Sequence, residues 1–309
     1  MQTTSRQRRL LNGHDRISIL AGRAAGVALA FRYCSAIGLM AERLGLNRIP
    51  SRIVSTVLPS ISASQAKTIA RSISDRHWLN RFTHRFVEAR GYDDFQSGVI
   101  SLCDEQLLQI NKERQPTILV YMHCGPYVGI SSTLHHLKIP ALVFTANCWH
   151  QGNTSLILVK HSRLAAEVSA QRAYKQSLKH LNRGGIVMWS IDYLSQSSIG
   201  VKFFRRDFDF ARGPFAAALR TGATIIPVTT NWLQERRIAV SLGPRLTQIN
   251  TPGKNSSSPD VVECAKETFA MQVARWFEAH YRNHPEQMSA ELLRNLASQQ
   301  HDKPEADRL

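Results

Sequence analysis

Two polar side chains follow directly on apolar, β-rich runs of the chain. His123 comes after the run 117–122, and Asp192 comes after the run 185–191. Reactive groups of open α/β sheets collect at the carboxyl ends of strands, so these two side chains are candidate catalytic residues. A neutral imidazole at such a position can take a proton from a hydroxyl or an amine while that group attacks a carbonyl. The competing interpretation is a structural histidine whose hydrogen bonds are satisfied within the fold.

The cysteines suggest two further chemistries near His123, and both are disfavoured. Cys124 is adjacent to His123, and neighbours on a strand point to opposite faces, which works against a thiol–imidazole pair. A zinc site built from His123, Cys124, Cys148 and His150 would match no usual ligand spacing. The five cysteines include no CxxC pair and fit a reducing compartment. No GxGxxG or P-loop occurs, and we expect no metal and no tightly bound cofactor.

A second polar cluster follows further along the chain. It contains Lys202, Arg205, Arg206 and Arg212, with Asp207 and Asp209 between them. Guanidinium groups contact phosphate oxygens in pairs, which makes the cluster a candidate anion site. The alternation of polar and apolar residues over 205–210 is also consistent with a solvated hairpin. We expect substrate contacts from Lys202 and Arg212, the latter beside Gly213 at the start of a predicted helix.

Strand and helix patterns alternate through the part of the chain that carries these residues. Strands are predicted at 117–122, 141–146, 185–191, 200–204 and 224–230, with an edge strand at 237–242. The first of these runs is typical of a strand that is buried on both faces. Helices are predicted up to about 136, at about 165–181, at about 213–221 and at about 260–282. The alternation predicts an α/β fold with a mainly parallel central sheet flanked by helices.

The chain of 309 residues is long enough for one large domain, and no linker divides it. We predict a basic tail at 1–14, a helical N-terminal part at 15–110, an α/β core at 111–299 in the same domain, and a loose tail at 300–309. Arg32 interrupts the apolar run 24–40, which disfavours a membrane span. The segment 15–44 is either an amphipathic helix at an anionic interface or a helix packed on the core.

The charge of the chain limits its partners. Lysine and arginine number 39 against 23 aspartates and glutamates, which gives a formal net charge of +16. This surplus attracts polyanions, namely nucleic acid, anionic lipid head groups or an acidic carrier protein. No helix-turn-helix, zinc-finger or RNA-recognition signature occurs, and the basic residues are dispersed, so nucleic acid is the least favoured. A basic surface with no single partner is the remaining interpretation.

Several segments between 118 and 246, and one beyond them, follow each other in a characteristic order. They are the strand ending in His123 with Gly125 after it, the segments 181–185, 192–193, 201–204, 213–214, 216–223 and 225–228, and then 284–287. In their order and spacing they resemble the lysophospholipid and lipid A acyltransferases, the group that adds late acyl chains to lipid A. No single segment is specific; the set together is.

The resemblance implies an acyltransferase-like fold and activity. An acyl group would pass from acyl carrier protein or acyl-CoA to a hydroxyl or amine of a lipid-like or specialised acceptor. It implies His123 as the base and phosphate contacts from the region of Lys202, Arg212 and Gly213. It also implies a place at the cytoplasmic face of a bacterial inner membrane, peripheral or N-terminally anchored, with a cytoplasmic location as the alternative.

One position departs from the family pattern. The family motif is a histidine, four residues, and then an aspartate or glutamate, whereas the fifth residue after His123 is Val128. We consider three interpretations, in order of preference. Asp192 supplies the charge from a neighbouring strand, or the reaction needs less activation, or the protein is catalytically silent and only binds a lipid or an acyl carrier.

Overall fold

The computed structural model describes residues 49–96, 98–145, 157–160, 166–192, 197–233, 237–246 and 258–298, with Tyr33, Ala36 and Met40 as isolated helical positions. The helices are α1 (Ser51–Val57), α2 (Ala63–Arg90), α3 (Tyr92–Gln96), α4 (Asp104–Lys112), α5 (Val128–His136), α6 (Ala166–Leu181), α7 (Gly213–Thr221), α8 (Pro259–Asn283) and α9 (Ala290–Ser298), and a 3-10 turn spans Pro285–Gln287. The strands are β1 (Val99–Ser101), β2 (Thr117–Tyr121), β3 (Ala141–Thr145), β4 (Ile157–Lys160), β5 (Ile186–Ser190), β6 (Ser198–Phe203), β7 (Arg206–Ala211), β8 (Thr224–Trp232) and β9 (Ile238–Leu242).

Seven strands form one sheet in the order β1-β9-β8-β2-β5-β3-β4. Strands β8, β2, β5, β3 and β4 run parallel, β9 runs antiparallel to β8, and β1 runs parallel to β9. The prediction of an α/β fold with a mainly parallel central sheet flanked by helices is therefore confirmed. The sheet places β2 between β8 and β5, so the strand that precedes His123 lies in its interior.

The core lies on both faces of this sheet because β2 is apolar along its whole length. Ile118 and Val120 pack with helices α7 and α8 on one face, whereas Leu119 and Tyr121 pack with α2, α4 and α5 on the other. All five residues of β2 are buried. A central parallel strand that is covered on both faces has this continuous apolar pattern, and no side chain of it remains for solvent. His123 is the first polar residue after the strand, and it is therefore the first whose side chain can reach a substrate at this end of the sheet.

Two of the predicted strands occupy other places than the sequence indicated. The segment predicted as an edge strand at 237–242 forms β9, which lies inside the sheet because β1 pairs along its outer side. The edge prediction was wrong because β1 has only three residues and leaves no sequence signal. Strand β6 lies outside the main sheet and pairs antiparallel with β7, so the hairpin interpretation of 205–210 is confirmed.

The described part of the predicted N-terminal region 15–110 is largely helical. It contains α1, α2, α3 and most of α4, together with the short strand β1. Ser62 begins α2 with a capping box: its side chain accepts a hydrogen bond from the backbone N–H of Gln65, and the Gln65 side chain accepts one from the backbone N–H of Ser62. The predicted tails and nearly all of the segment 15–44 lie outside the described residues. Within the part that the structure describes, no helix is long and apolar enough to cross a membrane.

Candidate active site

His123 and Asp192 meet because strands β2 and β5 run parallel in a fixed register. Tyr121 faces Ser190 in the last paired position, and the backbone N–H of Ile191 donates to the Tyr121 carbonyl at 3.0 Å. Each strand continues by two residues, which brings His123 opposite Asp192 at the carboxyl edge of the sheet. The backbone N–H of His123 donates to Asp192 Oδ2 at 2.7 Å, and His123 Nδ1 lies 2.8 Å from Asp192 Oδ1.

This double contact fixes the tautomer of the imidazole. An ionised carboxylate only accepts hydrogen bonds, so Nδ1 of His123 carries the proton that it donates to Asp192. In the neutral ring the lone pair then lies on Nε2, which becomes the basic atom. The Asp192 side chain is 9% exposed and the His123 side chain 34%, so the carboxylate is enclosed while the imidazole is reached by solvent. A histidine oriented by a buried carboxylate is the arrangement of a general base in acyl-transfer enzymes.

The surroundings of His123 change its basicity in opposite directions. Burial lowers the pKa of His123, whereas the charge and hydrogen bond of Asp192 and the charge of Glu291 raise it, and the net effect is a raised pKa. A raised pKa makes the neutral ring a stronger base, but it also leaves less of it neutral at low pH. A reaction that uses this ring as its base should therefore slow as pH decreases through a value above the ordinary pKa of histidine.

Val128 begins helix α5 and is buried in the apolar cluster that covers one face of the sheet. A carboxylate at this position would lose its hydration among the neighbouring apolar side chains, which is costly without a partner. Asp192, on the neighbouring strand, is instead the carboxylate that reaches His123. The geometry required by the first of the three interpretations of Val128 is therefore present.

The turn after His123 depends on a glycine and on a distant glutamine. Gly125 has φ +62°, and a Cβ at this position would lie 2.2 Å from the backbone oxygen of Thr230 in β8. Its N–H donates to the Gln287 carbonyl at 3.0 Å, and the Gln287 side chain bonds both the N–H and the carbonyl of Trp232. The turn that follows the candidate base is thus held between β8 and the Pro285–Gln287 turn.

Replacing Gly125 by alanine tests this close packing. We expect a loss of about 3–5 kcal/mol in the free energy of unfolding, because the left-handed backbone and the overlap with Thr230 both oppose a Cβ. Gly222 is a matched control, since it has φ +71° but no atom within 4 Å of a built Cβ. Gly222→Ala should cost only about 1 kcal/mol. Equal losses in urea denaturation would show that the contact with Thr230 is not tight.

The predicted anion contacts lie in ion pairs. Lys202 Nζ is 2.5 Å from Asp207 Oδ1 across the β6–β7 hairpin, and both side chains are more than half exposed. Arg212 forms an ion pair with Glu263 of α8, and Lys266 contacts the same carboxylate at 2.6 Å. An anionic ligand would have to compete with these carboxylates. The exposed pair of Lys202 and Asp207 contributes little to stability, so competition there is energetically accessible, whereas the contacts of Glu263 are partly buried.

Gly213 has a packing role in the structure. A Cβ at this position would lie 2.5 Å from the ring of Trp189, so the absence of a side chain lets α7 approach β5. The N–H of Ala211 donates to the Ile191 carbonyl at 2.7 Å, which brings the start of α7 to the same end of β5 as Asp192. Among the predicted site residues, the structure brings His123 and Asp192 into direct contact, and it assigns Lys202, Arg212 and Gly213 other partners.

Cys124 points away from His123, as the strand alternation predicts. The residue is 4% exposed, and its Sγ accepts a hydrogen bond from the backbone N–H of Ser289 at 3.4 Å. Burial raises the pKa of Cys124 to about 12, so the nucleophilic thiolate is scarce at neutral pH. Among the described residues, no group of three or more histidines, cysteines or carboxylates could hold a metal ion. Cys148 and His150 lie outside the described residues.

Comparison of the sequence with known proteins does not identify a family for this chain. No protein-family model matches the chain, and no curated protein matches it.

Proposed function

We propose that this protein is an acyltransferase related in fold and site to the late lipid A acyltransferases. It moves an acyl group from the thioester of acyl carrier protein or acyl-CoA to a hydroxyl or amine of a lipid-like or specialised acceptor. The observation that carries the proposal is the contact between His123 and Asp192 at the carboxyl edge of the sheet. It supplies a base with a defined tautomer at the place where α/β sheets hold their reactive groups.

The proposed reaction uses the two nitrogens of His123 differently. Nε2 takes the proton of the acceptor hydroxyl or amine while the acceptor oxygen or nitrogen attacks the thioester carbonyl. The carbon–sulfur bond then breaks, the thiolate leaves, and the imidazolium returns its proton to the sulfur. Asp192 keeps Nδ1 protonated throughout and stabilises the imidazolium while it exists. These steps need no metal and no tightly bound cofactor.

The partners that we propose follow from charge. The surplus of basic residues suits an acidic carrier protein or an anionic membrane surface, and Lys202 and Arg212 are proposed contacts for an anionic part of a substrate. We place the protein at the cytoplasmic face of a bacterial inner membrane, peripheral or N-terminally anchored, with the cytoplasm as the alternative. Nucleic acid is the least favoured partner.

The second candidate is a catalytically silent protein that binds a lipid or an acyl carrier in the same fold. The valine at position 128 favours this candidate, because it departs from the family motif. The pair of His123 and Asp192 weighs against it, since a binding protein has no need of an enclosed carboxylate behind an accessible imidazole.

Mass spectrometry of a turnover reaction separates the two candidates. Purified protein is mixed with acyl carrier protein thioester or acyl-CoA and with a panel of amphiphilic alcohols and amines. The proposal expects acylated acceptor in molar excess over protein, a matching amount of free carrier thiol, and no acyl group on the protein. Binding of the carrier without any turnover would support the silent protein and overturn the proposed activity.

A further inference from the structure

Aromatic rings surround the imidazole of His123 in addition to its carboxylate. The ring of Tyr127 lies 4.9 Å from that of His123, centroid to centroid, at an interplanar angle of 83°. The ring of Tyr121 lies 5.6 Å from His123 on the same face of the sheet. Edge-to-face ring pairs at such distances are attractive, and each adds about 0.5–1.5 kcal/mol beyond its burial. The imidazole is therefore restrained by more than its bond to Asp192.

The hydrogen bond at Nδ1 fixes only one edge of the imidazole, so contacts with the ring itself also oppose its rotation about the side-chain bonds. A perpendicular ring packed against His123 opposes that rotation, because it would have to move aside. Tyr127 is itself immobilised: it stacks on Tyr121 at 5.4 Å and 25°, and the ring of His84 in α2 packs against it at 4.6 Å. Residues of strand β2 and helix α2 thus fix the ring of Tyr127, which in turn packs against the imidazole of His123.

The position of Tyr127 explains why it is available for this contact. It occupies the N-cap position of α5 without a side-chain capping hydrogen bond, and its ring lies against His123 beyond the end of β2. The family motif has its carboxylate at the position of Val128, the first residue of this helix, whereas here the ring of the preceding residue contacts His123. The carboxylate comes from β5 instead.

We propose that Tyr127 is a positioning residue of the active site. Its ring holds the imidazole of His123 in the orientation in which Nδ1 donates to Asp192 and Nε2 presents its lone pair to the acceptor. The proposal rests on the proposed function for its kinetic effect, but its effect on the ring of His123 is independent of any reaction.

Several ionisable groups face His123 and set its titration together. Asp192 comes from the end of β5, Glu291 from α9, Tyr121 from β2 and Tyr127 from the start of α5. Burial raises the pKa of Tyr127 well above its ordinary value, so its phenol stays neutral while His123 titrates. Changes at Tyr127 therefore act on His123 through ring contact and orientation, without the loss of a charge.

The test uses three substitutions at position 127 and one control. Tyr127→Phe keeps the ring, whereas Tyr127→Leu and Tyr127→Met fill the space without one. Tyr174→Leu is the control, because Tyr174 is another partly buried tyrosine that packs edge-on against an aromatic ring, Trp189, in the apolar cluster on the other face of the sheet from Tyr127. Nitrogen NMR of labelled histidine reports the tautomer and the pKa of His123 without substrate, and acyl-transfer kinetics report kcat and KM.

Tyr127→Phe should leave the tautomer and kcat within about twofold of the parent values. Tyr127→Leu and Tyr127→Met should populate the other tautomer, lower the pKa of His123, and reduce kcat by about ten- to a hundredfold with a smaller change in KM. Parent-like tautomer and pKa in a folded Tyr127→Leu or Tyr127→Met protein would overturn the proposal, as would an equal shift in Tyr174→Leu. A parent protein without transferase activity would overturn the proposed function and leave the NMR result to decide the role of Tyr127.

Discussion

His123→Ala is expected to lower the rate of acyl transfer by about 10²–10⁴-fold, the usual contribution of a general base. Without Nε2, no group in the described site takes the proton from the attacking hydroxyl or amine at the carboxyl end of β2. Binding of the thioester should persist, because the proposed role of the imidazole is to take a proton from the acceptor and not to hold the donor. The loss should therefore lie in kcat, with KM nearly unchanged.

His135→Ala is the matched control for this substitution. His135 also contacts a carboxylate, with Nε2 at 2.9 Å from Asp93 Oδ1, but it lies in the last turn of α5, and Asp93 is 91% exposed. The control should keep its rate within about twofold, apart from any loss of folded protein. If purified His123→Ala transfers acyl groups as fast as the parent from the same carrier thioester, the assignment of the base is wrong.

Asp192→Asn should be almost as damaging, although it changes only one atom of the side chain. The backbone N–H of His123 always donates, so it must face the carbonyl oxygen of the new amide. The amide NH₂ then faces Nδ1, which must become an acceptor and lose its proton. The remaining proton moves to Nε2, and the atom that should accept a proton now carries one. We expect a decrease in kcat of about 10²–10⁴-fold from this tautomer change.

The same variant makes a prediction about pH that needs no substrate. The Asp192 charge and its hydrogen bond raise the pKa of His123 against the opposing effect of burial. Asp192→Asn removes both contributions, so the pKa of His123 should fall when it is followed by NMR titration. Asp207→Asn is the control, because it removes a carboxylate that is more than half exposed and pairs with Lys202 in the β6–β7 hairpin. If the pKa of His123 is unchanged in Asp192→Asn, the Asp192 carboxylate does not set the basicity of the imidazole, and the prediction is wrong.

The sequence was sufficient to predict a mainly parallel sheet and the buried strand that ends before His123. Strand β2 is apolar throughout because it is covered on both faces, and a pattern of this kind is visible without a structure. Strand β1, with three residues, leaves no such pattern, and the place of β9 inside the sheet depends on it. A short strand depends on hydrogen bonds to the neighbouring strand more than on the pattern of its own residues. The edge of the sheet could therefore not be predicted.

The sequence suggested Asp192 as the partner of His123, but only the register of the strands shows that the two residues meet. Both residues follow buried strands, but only the pairing of β2 with β5 brings position 123 opposite position 192. A sheet order in which another strand lay between them would have given the same sequence signal. Gly213 shows the opposite case, since its match to a family segment suggested a substrate contact, whereas its missing Cβ makes room for Trp189.

The side chains that complete the site leave almost no signal in the chain. Tyr127 differs from any other tyrosine only in its position before α5, and Glu291 acts on His123 from a helix more than 160 residues further along. Such contacts between distant segments are products of tertiary packing. The cue that was present is the turn at Gly125, whose tight fit against β8 fixes the direction in which α5 leaves the strand.

The central claim is that His123 and Asp192 work as one unit, and a double-mutant comparison of acyl-transfer rates tests it directly. The parent, His123→Ala, Asp192→Asn and the double variant are compared with the same thioester and acceptor. If the carboxylate acts only through the imidazole, Asp192→Asn should cost nothing further once His123 is alanine, and the double variant should match His123→Ala within about twofold. If Asp192→Asn slows the His123→Ala protein as strongly as it slows the parent, the two residues act separately and the claim is contradicted.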